Sequence, residues 1–322
     1  MAQFDVDKAV FSLLAGEIPE VTEDTCFSYV NSFALNQFVD KRECINTLDL
    51  LEKLVGDRHQ AKNYFNDLLK NGQIVVEGQL NGKFVQYHSM VDLNKKHIQA
   101  AIIDVTESRR AQEGFEYTAG ALARASEVND EDTGNHIMRI NRYATQLAVL
   151  LSLDDQFVQN ISILAQLHDV GKIYVDRSIL RKPGKLTSAE MEEMRKHPIF
   201  GAKIIGDHPR LELARQIALS HHERWDGSGY PYGLSGEMIP LSARIVAVVD
   251  VFDALVSKRV YKEAYSYDQA YNIMLKGNDR LNPKKHFDPR ILSLFTENFD
   301  KFLQIHQEFS LKKEVEKNER HL

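Results

Sequence analysis

ISILAQLHDVGKI (161–173) is an apolar run at helical spacing that breaks at Gly171 and carries His168 and Asp169 side by side near its end. A buried helix end holding an imidazole and a carboxylate must satisfy both groups, and metal coordination does so. Working outward, the pattern returns. RQIALSHHE (215–223) closes a second apolar stretch on His221 and His222, and ARIVAVVDVFDALVS (243–257) sets Asp250 in an otherwise apolar helix, where a lone carboxylate is expensive. Upstream, Asp132 and His136 stand four apart and share a helix face, about 6 Å apart along the axis. His197 completes the set. Any one of these residues alone is more often a hydrogen-bonded core group, but together they read as ligands for metal. Adjacent helical residues point about 100° apart, so the His168-Asp169 and His221-His222 pairs are each expected to reach two different ions rather than chelate one. Imidazole and carboxylate donors suit Fe, Mn, Co or Zn.

The composition is consistent with this. The chain has 322 residues, 43% of them hydrophobic and 27% charged, enough for two domains with real cores. It is neither a disordered chain nor a disulfide scaffold. A net charge of −6 argues against a protein that coats a large nucleic acid, so an anionic ligand must be held by a local cluster. Cys26 and Cys44 form no paired metal motif, exclude a thiolate site and fit a reducing cytosol. No apolar run approaches the ~18–20 residues of a membrane span, and the acidic N-terminus does not read as a signal peptide. A cytoplasmic protein with no membrane association is expected.

From 127 onward the patterns are helical, with loops at 181–187 and 226–241. The first part differs. Residues 1 to about 70 carry helix-compatible patterns, for example Ile45, Leu48, Leu51 and Leu54. IVVEGQL (74–80), KFVQYHSMVDL (83–93) and HIQAAIIDVTE (97–107) then predict three antiparallel strands, the first two joined by Asn81-Gly82. Ala111, Phe115, Thr118, Leu122 and Ala125 make a short heptad stripe on the following helix. That stripe either pairs two protomers or lies on its own domain. His59 is read as an ordinary surface or core residue, and His208 as a loop residue.

Two resemblances follow from these stretches. IIDVTESRRAQE (102–113) resembles the end of PAS domains, where the last strand runs through a turn into an exit helix. HDVGK (168–172) matches the signature of the HD superfamily of metal-dependent phosphohydrolases. HHERWDGSGYP (221–231) is similar to that of the HD-GYP subfamily, and DTGNHIMRI (132–140), KHPIFGAKII (196–205), SKRVYK (257–262) and HFDP (286–289) follow the same order over about 127–300. The fold implied is an α+β N-terminal PAS-like domain followed by an all-α HD-type helical domain. The divisions are a sensor over 1–106, a signalling helix over 107–126, the HD-GYP phosphodiesterase domain over 127–309 and a charged tail over 310–322.

The resemblance implies metal-dependent hydrolysis of the bacterial second messenger cyclic di-GMP to linear pGpG, with a second cleavage to GMP left open. A phosphodiesterase for 3′,3′-cyclic GMP-AMP and a catalytically silent nucleotide receptor are the alternatives. It implies His136, His168, Asp169, His197, His221, His222 and Asp250 as metal ligands, with Asp169 bridging two ions, Fe first and Mn second. A third ion depends on Asp132, which stands where three-metal members carry Glu and whose side chain is shorter by about 1.5 Å. Asp169 and Lys172 are the implied catalytic residues. Lys172, Arg259 and Lys262 would contact phosphates, and Gly229, Tyr230 and Pro231 would form a loop beside the pocket. Tyr230, Trp225 and Phe287 are candidates to stack on a guanine. Tyr174, where a small residue is usual, is expected to narrow the pocket. A homodimer through the exit helix is the expected assembly.

Overall fold

The computed structural model describes residues 9–13, 27, 29–30, 46–92, 97–127, 135–257 and 263–319. It divides into two compact units, Met1–Gly114 and Phe115–Leu322.

In the first unit, strands β1 (Ala9–Leu13) and β2 (Tyr29–Val30) precede helices α1 (Thr47–Val55) and α2 (Arg58–Asn71), and β3 (Gln73–Leu80), β4 (Lys83–Asp92) and β5 (His97–Asp104) follow. All pairings are antiparallel, in the order β2-β1-β5-β4-β3. Asn81 and Gly82 both take positive φ, 51° and 77°, which closes the β3–β4 hairpin in register Leu80↔Lys83. Both helices are capped as their sequences allow. Asn46 and Asp57 accept from the amides of Asp49 and Gln60, and Gly56 and Gly72 end the helices at φ 72° and 76°. Leu48, Leu51 and Leu54 of α1 and Ala61, Phe65 and Leu68 of α2 pack with Val76, Val85, Tyr87, Ile98, Ala100 and Ile102 of the sheet.

The structure corrects the expected three strands to five, because β1 lies in the stretch read as helix-compatible. AVFSL is a short, mostly apolar stretch whose period cannot separate helix from strand. Its pairing with β5, Phe11 opposite Ala100, comes from far along the chain. The third strand also ends earlier than expected, at Asp104. There the Asp104 carboxylate accepts from the Thr106 amide at 3.0 Å and from Lys83 Nζ at 2.8 Å, turning the chain into α3 (Thr106–Glu127).

The second unit is helical: α4 (Asn135–Leu150), α5 (Asp155–Leu164), α6 (Arg177–Leu180), α7 (Ser188–Met194), α8 (His197–Ile205), α9 (Glu212–Ser220), α10 (Leu241–Val256), α11 (Tyr267–Lys276), α12 (Pro283–His286), α13 (Pro289–Glu297) and α14 (Phe299–Glu319). Its main core joins Ile140, Tyr143, Ala144 and Leu147 of α4 to Val246, Val249 and Phe252 of α10. The ring of Phe252 meets Tyr143, Phe295 and Phe299 edge-on at 5.1–5.5 Å. The core thereby seats the polar residues of α10 against the start of α4.

A second core gathers Ala119 and Ala123 of α3, Ile137, Leu164, Leu167, Val170, Ile205, Ala214 and Ala218. The buried stripe of α3 is Ala119, Gly120, Ala123 and Ser126, beside the heptad stripe rather than on it. Ala111, Thr118 and Ala125 are exposed, and Phe115 and Leu122 are half-buried. Small residues let the helix approach its own unit closely, which the heptad pattern did not anticipate. Among the described residues no helix is long and apolar enough to cross a membrane.

Candidate metal centre

The expected helix through His168 and Asp169 is interrupted. After α5 the chain tightens into 3₁₀ turns at Ala165–Leu167 and Val170–Tyr174, and His168 and Asp169 sit between them. Gly171 makes this possible. A Cβ there would overlap the carbonyl of His197 and the amide of Gly201, so only glycine lets this turn press against the first turn of α8, which opens with His197.

Two clusters of donor atoms result, Asp169 with His197, His221 and His222, and His136 with His168 and Asp250; within each cluster every donor lies within 4.8 Å of the others. Asp169 divides its oxygens between them. Oδ1 is 3.2 Å from His197 Nε2 and 3.6 Å from His221 Nε2, while Oδ2 is 3.2 Å from His168 Nε2. Asp250 Oδ1 lies 3.9 Å from the Nε2 atoms of both His136 and His168. His168 and Asp169 thus reach two clusters, as adjacency suggested. His221 and His222 do not: both join one cluster, with ring centroids 4.0 Å apart. The 100° rule fails there because α9 ends at Ser220 and the chain turns away.

Each buried imidazole is held from behind through Nδ1. His168 donates to the Ala165 carbonyl (3.1 Å), His197 to that of Met194 (2.7 Å), and His221 to that of Ile217 (3.1 Å). His136 donates to Asp253 Oδ2 at 2.7 Å. These partners assign the lone pair to Nε2, the arrangement that ligating imidazoles require. Nε2 of His168, His197 and His221 and Oδ1 of Asp169 are buried without a hydrogen bond. Orphaned donors and a carboxylate oxygen converging at these spacings fit divalent cations.

The electrostatics differ between the two clusters. Burial works against charging His168, but Asp169 and Asp250 outweigh it and push His168 up, as His136 is pushed up. Burial works against ionising Asp169, yet Lys172 and His168 hold its carboxyl well below the usual carboxylate range. Burial pushes His221 and His222 down, towards the neutral form that binds metal. Burial also opposes charging His136, but the hydrogen bond and charge of Asp253 prevail and push it up to about 9. Lys172 Nζ pairs with Asp169 Oδ2 at 2.8 Å.

The Gly229-Tyr230-Pro231 loop lies against this cluster. A Cβ on Gly229 would strike the backbone of His222, Glu223 and Arg224, so glycine brings the loop onto the histidine pair. Tyr230 then stacks on His222 with centroids 4.8 Å apart and planes at 27°, and the Arg195 guanidinium sits 5.3 Å from its ring centroid. Phe287, by contrast, is 2% exposed within the main core, which removes it as a stacking surface. Trp225 is half-buried, with Arg244 5.8 Å from its ring centroid. Tyr174 is largely exposed with its ring against Phe200, and does not enter the buried clusters. His208 accepts from the Arg210 amide in its loop, and His59 is exposed. Asp132, Arg259 and Lys262 lie outside the described residues.

Two contributors escaped sequence reasoning. Asp253, fully buried, accepts from His136, from Arg139 Nε at 2.6 Å and from an Arg139 terminal nitrogen at 2.8 Å. Its signal was a second carboxylate in the same apolar helix, three residues after Asp250. Glu223, 3% exposed, accepts from the amides of Tyr232 and Leu234 and ties down the glycine loop.

Residues 120–291 match the family model described as an HD domain. The chain belongs to the HD domain family. It is 41% identical over 204 residues to a cyclic di-GMP phosphodiesterase of Vibrio cholerae, 59% of this chain and 40% of that one. It is 42% identical over 218 residues to a cyclic di-GMP phosphodiesterase response regulator of Xanthomonas campestris, 67% of this chain and 55% of that one. A 3′3′-cGAMP-specific phosphodiesterase of V. cholerae is 41% identical over 186 residues, 57% of this chain and 35% of that one. The HD domain chain therefore spans about half or less of the length of these relatives.

Proposed function

We propose that this HD domain protein is a metal-dependent phosphodiesterase that cleaves cyclic di-GMP to linear pGpG, with the second cleavage to GMP left to the product assay. The observation that carries the reading is Asp169, whose two oxygens face two separate clusters of histidine and aspartate donors. That is the arrangement of a carboxylate bridging two cations, one held with His197, His221 and His222 and the other with His136, His168 and Asp250. A pair of divalent ions supplies an activated water and neutralises charge at phosphorus. Fe fits the mixed donors, with Mn the alternative. Asp132 is kept as the candidate for a third ion.

The chain's own residues account for the rest of the chemistry. Lys172, paired with Asp169, is placed to turn its ammonium towards a substrate phosphate. Arg259 and Lys262 are assigned to the second phosphate. Burial pushes the Tyr230 hydroxyl up, so it stays protonated and can donate to an anionic ligand from the loop of Gly229 and Pro231. The names of the relatives support both nucleotide substrates, and the 3′3′-cGAMP-specific relative keeps 3′,3′-cyclic GMP-AMP as the second reading.

The N-terminal unit is proposed as a PAS-like sensor. In support, β5 runs through the Asp104–Thr106 turn directly into α3, with α1 and α2 packed on the sheet. The exposed positions Ala111, Thr118 and Ala125 of α3 are the proposed homodimer contact in a cytoplasmic bacterial protein. A monomeric mass by light scattering at micromolar concentration would refute that contact.

The decisive experiment is product chromatography with both cyclic dinucleotides on anaerobically purified protein, with metal content measured in the same sample. Linear product with at least two metals per chain is expected. Full metal occupancy with neither substrate cleaved would overturn the phosphodiesterase reading.

A further inference from the structure

The outer side of the first cluster carries a cation that no motif singled out. Arg195 follows α7 directly and stands two residues before His197, and it is exposed. Its guanidinium lies 5.3 Å from the centroid of the Tyr230 ring. That ring stacks on His222 at 4.8 Å and meets His197 edge-on at 6.5 Å. From buried His221 through half-buried His222 and Tyr230 to exposed Arg195, the contacts lead from the donors to solvent. A guanidinium is attracted to the face of an aromatic ring, so Tyr230 ties a positive charge to the imidazoles that Asp169 faces.

The neighbouring cations are engaged: Lys196 pairs with Glu193 at 2.5 Å, and Lys172 with Asp169 at 2.8 Å. Among the described residues the Arg195 guanidinium forms no hydrogen bond or ion pair, and the Tyr230 ring is what holds it. A helix C-terminus favours a cation by itself. It does not account for a cation placed over a ring that touches two of the metal-ligating candidates. Burial and Asp169 push the Tyr230 hydroxyl up while Arg195 and Lys172 act against them, so both cations reach the same corner of the site. The planar fork of a guanidinium matches a pair of phosphate oxygens, which an ammonium does not.

We propose that Arg195 is a substrate-binding residue whose guanidinium, presented by Tyr230, holds a phosphate oxygen of the cyclic dinucleotide beside the cluster of Asp169, His197, His221 and His222. This contact presupposes the phosphodiesterase reading and adds a fourth basic residue to Lys172, Arg259 and Lys262. It also gives Tyr230 a second task, positioning the guanidinium as well as offering its own hydroxyl.

The test measures KM and kcat on the full, Mn²⁺-loaded chain with whichever cyclic dinucleotide wild type cleaves, and metal content and melting temperature in the same samples. Arg195→Gln removes the charge, and Arg195→Lys keeps it without the fork. Lys196→Gln is the control, removing the adjacent exposed charge that Glu193 already holds. Arg195→Gln is expected to raise KM about tenfold with kcat within about twofold of wild type, because binding lost equally from ground and transition states shows in KM. Arg195→Lys should recover part of that loss. The gap between Arg195→Gln and wild type should narrow as salt rises from about 0.05 M to about 0.5 M, since an exposed charge contact is screened. Metal content and melting temperature should stay at wild-type values in all three variants. An unchanged KM in Arg195→Gln would overturn the proposal, as would an equal rise in Lys196→Gln. A raised KM accompanied by lost metal or a lowered melting temperature would mark a structural role and overturn it as well. Wild type that holds metal yet cleaves neither dinucleotide would instead defeat the phosphodiesterase reading, and this contact with it.

Discussion

Asp250 and Asp253 stand three residues apart on one helix and do different work. Asp250 faces two imidazole nitrogens at 3.9 Å, whereas Asp253 is fully buried and accepts from His136, Arg139 and Ser257. A carboxylate behind a ligating imidazole sets its tautomer and raises its basicity. Asp253→Asn should therefore weaken metal binding about 10–100-fold at the His136 cluster, read by Mn²⁺ titration. Asp253→Ala should also destabilise the fold by about 3–5 kcal/mol in urea unfolding, because it leaves the buried Arg139 without its main anion. Full Mn²⁺ affinity in the Asn variant would confine Asp253 to a structural role. The residue types of the centre were legible in the sequence. The role of Asp253 was not, since its Arg139 partner is 114 positions away and nothing local joins them.

At the scale of elements, the site depends on a helix that stops. The 3₁₀ turn at Val170–Tyr174 packs on α8 because Gly171 has no side chain, and Asp169 thereby comes within 3.2 Å of His197. Gly171→Ala should force the two apart, costing about 1–3 kcal/mol in urea unfolding and lowering metal content in the same sample. Gly114→Ala is the control, since a Cβ there meets nothing within 4 Å on α3 and should be neutral or stabilising by up to about 1 kcal/mol. Equal behaviour of the two variants would remove Gly171 from the argument. Periodicity revealed the helices and the β3–β4 hairpin because those signals are local. It missed β1, whose partner β5 lies some ninety residues on. It did not reveal the buried face of α3, Ala119, Gly120, Ala123 and Ser126, because small residues score weakly on hydrophobicity yet permit the closest packing.

Across the whole molecule, a metal bound by the folded helical unit and not by the unfolded chain stabilises by mass action, about 2.7 kcal/mol at a hundredfold excess over Kd. Calorimetry of the full chain with and without chelator should move the transition of the Phe115–Leu322 unit down by roughly 5–10 °C. A thermogram indifferent to chelator would contradict a metal centre built from three of that unit's helices and the turns between them.

The sequence alone determined the helical class of the second unit, the donors that converge there and the glycines around them. These are properties of residue type, helical period and adjacency, all of which act over a few residues. Tertiary structure alone decided how the donors divide into two clusters, that His221 and His222 serve the same one, that Phe287 belongs to the core, and that Asp253 stands against His136. Each of those facts depends on where a helix ends and which distant helix packs against it. Packing settles such contacts by excluding water and filling volume between segments far apart in the chain, and no local pattern records the outcome.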